Sequence, residues 1–487
     1  MYNQGAYIRV TNDNNGVVVN YVKATLVIQR DSANTFFLKN DSFINYYNYT
    51  DVATPISTDL DDLITTITSW NTSMSSNLTF TSTTTFSATM LDPLARLKVS
   101  SQPDTVTTLN TTYNKNPLRI DEITASNAIS SHESSKGVVN MNLVSTTGSR
   151  IIRQSKLYTP HVFGSTTTAI INGVLTTNNT NSNVVSRIGV FDDTNDVSGV
   201  DAQKVGNGLF FSYDNRSNMR LVHRTNVSGS QVDTFVSQSS WNLDTLNGNG
   251  ASGLTLNATG NNNFVFEWNQ ANSASIARAG IYKNGITFCH VFSNASLFGN
   301  PALPIRWELA HDSNLGSANS ATMVQGPAVI YSDEPYMGPN KTFAYDLSSN
   351  FKLMNTPSTV PLWSIRLANA YERAKIFPKD LEIINIAVGG VGKWQLTLNS
   401  ELTSSSFSNV AISSFTEADS NATASSGGIC VACGYIYDAG VTKVALNEKD
   451  ISVLCSINGT QDILTLNVTN INGALNVSSS IEWVEQD

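Results

Sequence analysis

Charged side chains are scarce in this chain: Asp, Glu, Lys and Arg together make up 14% of its 487 residues. The little charge present leans acidic, with a formal net of −9, and Lys and Arg form no cluster. Binding to a phosphate backbone draws most of its strength from such clusters, so no nucleic-acid partner is expected. Cysteine is equally sparse. Four in a chain this long, with no secretory signal in Met1-Tyr-Asn-Gln-Gly-Ala6, make no disulfide framework and read as buried free thiols. Long apolar runs are missing too. The longest cover a few residues, against the roughly 20 needed to cross a bilayer, so no membrane insertion is expected.

Catalytic patterns are also thin. The five histidines are scattered, and no Gly-x-Ser-x-Gly elbow occurs. Gly389-Gly-Val-Gly-Lys393 lacks the leading Gly and trailing Ser/Thr of a phosphate loop, since Ala387 and Trp394 stand there; it reads as a hairpin turn. Cys430-Val-Ala-Cys433 lies in a strand-like run, where residues three apart point to opposite faces, and no second pair completes a zinc site. Glu267, Glu308 and His290 could line a concave face as paired carboxylates do in glycoside hydrolases. Each nevertheless falls on the outward phase of an alternating strand, where a solvated polar residue is expected. These observations lead to the expectation that the chain is not an enzyme and carries no cofactor.

Asn, Ser and Thr, by contrast, are abundant, which suits exposed β-structure rich in turns. The strand signal is strongest from Phe264 to Leu309. Phe264-Val-Phe-Glu-Trp268 alternates, Asn284-Gly285 separates two further alternating runs as a hairpin turn would, and Leu303, Ile305, Trp307 and Leu309 share one face. Trp268 and Trp307 are expected to meet in one interior, with Arg306 and Glu308 turned to water. Short strands recur from Ile151 to Arg224 and again from Pro361 to Glu485, the pattern of β-sandwiches or jelly rolls.

The expected architecture is therefore all-β and multi-domain, of β-sandwich or jelly-roll type, with one short N-terminal helix. That helix is placed near Thr58 to Asn71, where Leu60, Leu63, Ile64, Ile67 and Trp70 recur at helical spacing behind a Thr58-x-x-Asp61 cap. A Ser/Thr tract from Thr72 to Thr89 gives one boundary; Gly326-Pro327 and Glu334-Pro-Tyr-Met-Gly-Pro339 give another. The domains expected are 1–90, a β segment with the helix and a possible attachment region; 91–335, a central sandwich; and 336–487, a C-terminal sandwich.

Two clusters are candidate binding sites. Asp192, Asp193, Asp196 and Asp201 crowd one loop and could offer oxygens to calcium, though their spacing is not that of an EF-hand. Trp241 with Asn242 and Asp244 is a place where a sandwich loop could present an aromatic and amide surface to a glycan; the alternative is that Trp241 anchors the loop to the core.

Several motifs resemble, in order, those of a family of virion structural proteins. They include Ile152-Arg-Gln-Ser-Lys-x-Tyr158, Arg187-Ile-Gly-Val-Phe-Asp192, Val222-His-Arg-Thr-Asn-Val-Ser-Gly229, Gln238-Ser-Ser-Trp-Asn-Leu-Asp244, Phe288-Cys-His-Val-Phe292 and Leu303-Pro-Ile-Arg-Trp-Glu308. The family comprises fibre-like or minor virion proteins of tailed bacteriophages, including cyanophages, with relatives expected in other large double-stranded DNA viruses. The resemblance covers roughly the last four-fifths of the chain. The loop from Asp192 to Gly206 is longer than the family pattern, and the first eighty or so residues match nothing in it. The resemblance implies a structural component of a virus particle (fibre, spike, baseplate or minor capsid protein), located in the virion and assembled in the host cytoplasm. Its partners would be other virion proteins and further copies of itself, with a trimer expected. The alternative is a host-adsorption module that binds surface glycan; a polysaccharide depolymerase is third.

Overall fold

A computed structural model describes residues 104–486, apart from 162–163, 178–182, 194–205, 215–217, 272–273, 312–318, 334–340, 348–349 and 447–450, together with the backbone of five strands before residue 56. The chain divides into compact units 1–85 and 86–487. In the first, β1 (Asn3–Asn12), β2 (Val18–Arg30), β3 (Phe36–Leu38), β4 (Ile44–Asn48) and β5 (Asp51–Pro55) form an antiparallel sheet ordered β1-β2-β4-β5, with β3 also on β2. The helix expected from Thr58 to Asn71 lies outside the described residues.

The second unit is all-β and begins with a two-sheet sandwich. Its strands are β6 (Asp104–Leu109), β7 (Ile120–Ala125), β8 (Ile129–Glu133), β9 (Val138–Leu143), β10 (Arg150–Ser155), β11 (Thr167–Val174), β12 (Val184–Phe191), β13 (Gly208–Tyr213), β14 (Met219–Thr225), β15 (Val232–Ser237), β16 (Asn262–Ala271), β17 (Ala274–Tyr282), β18 (Ile286–Asn294), β19 (Ile305–His311) and β20 (Ala321–Ser332). Sheet A runs β15-β14-β13-β12-β19-β10-β7, and sheet B runs β18-β17-β16-β11-β20-β9-β8 with β6 also on β20. Neighbours distant in sequence, such as β10 and β19, give the sandwich its jelly-roll-like connectivity.

Alternation decides what goes inside. Phe264, Phe266 and Trp268 of β16 join Ile305, Trp307 and Leu309 of β19 in one buried cluster, so the two tryptophans do share an interior. Each fully buried side chain of this size contributes about 1.5–3 kcal/mol. Their indole N–H groups are satisfied at the rims: Trp268 donates to Pro301 O at 3.2 Å and Trp307 to Asn172 O at 3.2 Å. The β17–β18 hairpin turns through Asn284 and Gly285, at φ 58° and 123°, as the Asn-Gly pair required. Gly326-Pro327 does not break the chain into domains. Both residues lie inside β20, at an irregularity in its pairing with β11, where a proline without an N–H is tolerated.

A second sandwich follows, with β21 (Lys341–Asp346), β22 (Lys352–Met354), β23 (Thr359–Leu367), β24 (Lys375–Asn385), β25 (Val391–Leu398), β26 (Glu401–Thr403), β27 (Ser408–Asn409), β28 (Thr416–Asp419), β29 (Ala424–Ser426), β30 (Ile429–Tyr437), β31 (Gly440–Ala445), β32 (Ile463–Asn472) and β33 (Leu475–Gln486). Sheet C is ordered β27-β28-β23-β32-β25-β30, and sheet D β21-β33-β24-β31 with β22 also on β33. Trp363, Trp394 and Trp483 fill its core. The last strand is locked by Glu485, fully buried, which accepts from Ser414 Oγ, Phe415 N and Thr416 Oγ1. Lys156 binds Asp462 at 2.9 Å, and Ile457 N donates to Asp121 at 2.7 Å, tying the two sandwiches together.

Candidate functional site

The residues singled out from sequence are mostly engaged by the fold itself. Trp241 is 5% exposed, packs edge-on against Phe211 and donates its N–H to Val236 O. Asn242 bridges to β18, giving Nδ2 to Val291 O and accepting Val291 N. Burial works against ionising Asp244, but the N–H groups of Leu246 and Ser252 outweigh it and hold its carboxyl below the usual range. The trio therefore ties a loop to sheet B and leaves no aromatic face for a sugar.

The first two residues of the acidic loop are likewise turned inward. Asp192 and Asp193 are buried; Asp192 pairs with Arg373 and accepts Asn207 N, while Asp193 takes Arg224 at 2.7 Å. Arg373 and Arg224 thus supply the counter-charges of these two carboxylates. Asp196 and Asp201 lie outside the described residues, and no group of three or more metal-ligating side chains occurs among the described ones.

Glu267, Glu308 and His290 were expected to face water, and all three are buried. The outer face of sheet A explains Glu308. Phe191, Phe210 and Val222 form a second apolar cluster on that face. Arg306 lies over the Phe191 ring at 5.0 Å. Glu308 receives Arg306 and Arg187, both at 2.5 Å, and Arg150 at 3.4 Å. Burial alone would raise its pKa, but the three guanidinium groups hold it well below the ordinary range. On sheet B, Glu267 pairs with Arg278 at 3.0 Å, and that guanidinium lies over Phe288 at 4.0 Å. These are structural ion pairs set on faces the alternation rule assigns to solvent.

The exposed chemistry lies in the C-terminal sandwich. Cys430 and Cys433, expected in the core, are exposed, because β30 is the edge of sheet C; Cys289 and Cys455 are the buried pair. Beyond them, Tyr435 and Tyr437 alternate with the buried Ile436, so both rings emerge on the outer face, 54% and 68% exposed. Their centroids are 6.1 Å apart. A row of directly opposed residues runs inward from the first ring across four strands: Tyr435, Lys393, Thr469, Thr359. Cys433 and Gln395 begin the next row. An aromatic pair beside an ammonium, an amide and hydroxyls can stack on the C–H face of a sugar and bond its hydroxyls. The Gly-Tyr-Ile-Tyr alternation signals this in the sequence; reading the Cys-x-x-Cys stretch as core concealed it.

The outer face of sheet D carries a groove of about 480 Å³ lined by Asp346, Glu382, Ile384, Val441, Ser478 and Ser480. Asp346, Ser480, Glu382 and Lys443 stand directly opposite one another on four strands. The two carboxylates are thus two strand spacings apart, about 10 Å between Cα atoms. Lys443 meets Glu382 at 2.5 Å.

No family model matches the chain, and no curated protein matches it. Solved structures do. An endo-1,3-β-glucanase from Streptomyces sioyaensis aligns at TM-score 0.33 and 8% identity, covering 48% of this chain and 98% of that one. An alginate lyase from a Chlorella virus aligns at TM-score 0.31 and 11% identity, covering 47% and 99%. A legume lectin-like domain from Entamoeba histolytica aligns at TM-score 0.27 and 10% identity, covering 48% and 99%. The expectation that the chain is not an enzyme is corrected here. Polysaccharide-degrading enzymes stand among the structures it is similar to, and the sheet D groove brings together carboxylates that no linear motif displays. What the described residues establish is the architecture, all-β and jelly-roll-like.

Proposed function

We propose that the chain is a surface component of a virus particle that binds host glycan through the outer face of sheet C. The ordered motifs from Ile152 to Glu308 support the virion part of this reading. The observation that carries the glycan part is the tyrosine pair. Two large rings are held side by side on a solvent-facing strand, next to Lys393, Gln395 and Thr469, with the indole of Trp394 packed beneath the same sheet. Folding alone gains little from leaving two such rings in water. A saccharide stacked on them would recover that apolar area, and the polar row would fix its orientation.

Binding of the purified chain to a panel of host surface polysaccharides tests this. Calorimetry should show saturable binding that weakens about tenfold for each of Tyr435→Ala and Tyr437→Ala, the loss of about 1.4 kcal/mol per ring. Equal affinity in both variants would remove the site. A second reading, polysaccharide cleavage, rests on Asp346 and Glu382 lining one groove on the same face of sheet D, because glycoside hydrolysis uses two carboxyl groups flanking the scissile bond. Release of reducing ends by the wild-type chain, abolished in Glu382→Gln and retained in Tyr435→Ala, would establish it.

A further inference from the structure

Strand β30 ends sheet C, and among the described residues no strand pairs with its outer edge. Its backbone geometry shows what that edge offers. Asp438 N donates to Gly390 O, one residue beyond the opposed pair Val391 and Tyr437. In an antiparallel ladder this makes Val391–Tyr437 a non-bonded pair, so the N–H and C=O groups of Tyr437, and by alternation those of Tyr435 and Cys433, point away from β25. An irregularity between Leu396 and Thr397, opposite Ala432 and Cys430, ends the regular ladder below them.

Natural sheets guard such an edge with lysine, proline or a covering segment. Among the described residues none of these guards β30. No charged residue stands between Asp419 and Asp438, and no proline occurs there. The strand is nine residues long, and Ile429, Tyr435 and Tyr437 on it are exposed.

We infer that β30 pairs with β30 of a second copy of this chain, antiparallel, about a two-fold axis through Tyr435. The register follows from the free groups. With Tyr435 on the axis, Tyr435 faces its own copy, and Cys433 faces the Tyr437 position of the second copy, so all three outward residues bond at once. A shift of the axis by one residue leaves one of them without a regular partner. The occupant follows from the charge pattern. A two-fold axis opposes like residues, and a strand free of charge is one that its own copy meets without repulsion. The product is a continuous sheet of two sheets C, with both tyrosine pairs on the same face. Association does not depend on the glycan reading, although it would double the aromatic strip that reading uses.

Sedimentation velocity of the full chain tests this, in reducing buffer so that the exposed Cys430 and Cys433 cannot cross-link copies. The wild type should sediment as a dimer. Cys433→Pro removes an outward N–H and blocks the edge while leaving the ladder to β25 intact; Tyr435→Lys sets two like charges opposite each other on the axis. Both should be monomeric with unchanged circular dichroism, and Tyr435→Lys decides the matter if the proline variant fails to fold. Amide exchange at Cys433, Tyr435 and Tyr437 should slow as wild-type concentration rises. A monomeric wild type at every soluble concentration, or a dimer that persists in Tyr435→Lys, overturns the inference. Lys393→Ala separates the two readings, because it should weaken glycan binding and leave the dimer unchanged.

Discussion

Arg306 and Glu308 stand two residues apart on β19, point to the same outer face of sheet A, and form a 2.5 Å ion pair with both side chains at most 1% exposed. Arg187 and Arg150 complete the surroundings of the carboxylate. Glu308→Gln keeps the shape and leaves the buried Arg306 guanidinium, and the half-buried Arg187 and Arg150, without their counter-charge. The expected cost is about 3–5 kcal/mol, read as a lower urea midpoint at neutral pH. The pH dependence has a definite sign. The folded pKa lies below that of the unfolded chain, so this stability is present above the ordinary glutamate range near 4.3 and is lost as pH falls through the folded value. The variant should therefore show a shallower acid limb than the wild type.

His223 adds a second acid-sensitive point at higher pH. Its Nε2 lies 2.9 Å from Leu297 O, and the rings of Phe292 and Phe298 pack against it at 5.3 and 5.5 Å. Burial lowers its pKa, against weaker opposing effects of the Leu297 carbonyl and Asp233. The folded form then holds the neutral ring, and stability present above about pH 6.5 is lost as pH falls towards the folded value. His161 and His290 shift in the same direction, also through burial. The thermal midpoint should fall between pH 7 and pH 5.5, and His223→Gln, which keeps an N–H donor, should flatten that fall.

Much of the fold was legible in the sequence, because side-chain alternation reports directly on strands. Phe264, Phe266 and Trp268, the Asn284-Gly285 turn and the Ile305, Trp307, Leu309 stripe all sit as their spacing requires. Alternation fails where both faces of a sheet are covered. Glu308 and Glu267 have the phase of solvated residues, and only three-dimensional packing brings arginines over them. Trp241 shows the converse limit: an aromatic flanked by Asn and Asp reads equally as a sugar platform or as a loop anchor, and its contacts with Phe211 and Val236 make it an anchor. Whether a strand is central or at an edge is a property of topology, which is why Cys430 and Cys433 read as core residues and are exposed.

Gly189 on β12 is required by close approach. A Cβ there would lie 2.3 Å from Leu209 O and 2.4 Å from Phe210 Cβ, both on the neighbouring strand β13. The backbone of that strand cannot yield without loosening the Phe191 and Phe210 stack, whose centroids are 4.2 Å apart. Gly189→Ala should destabilise the central sandwich by at least about 1–3 kcal/mol, the usual range for overpacking. Denaturant unfolding followed by tryptophan fluorescence measures this.

The four cysteines should separate cleanly by reactivity. Cys289 is fully buried, its Sγ lies 3.2 Å from Ala279 O, and burial pushes its thiol well above the ordinary pKa, so little thiolate forms and no reagent reaches it. Cys455 is buried in the C-terminal core. Cys430 and Cys433 lie open on β30. An aromatic disulfide reagent at mild alkaline pH should therefore titrate two thiols in the native chain and four after unfolding. Pairing of β30 with a second copy consumes backbone groups and leaves the Cys433 side chain on the face of the sheet, so the native count should stay at two whether the chain is monomeric or dimeric. A native count of zero would place β30 inside the fold, and would remove the exposed edge and the tyrosine platform together.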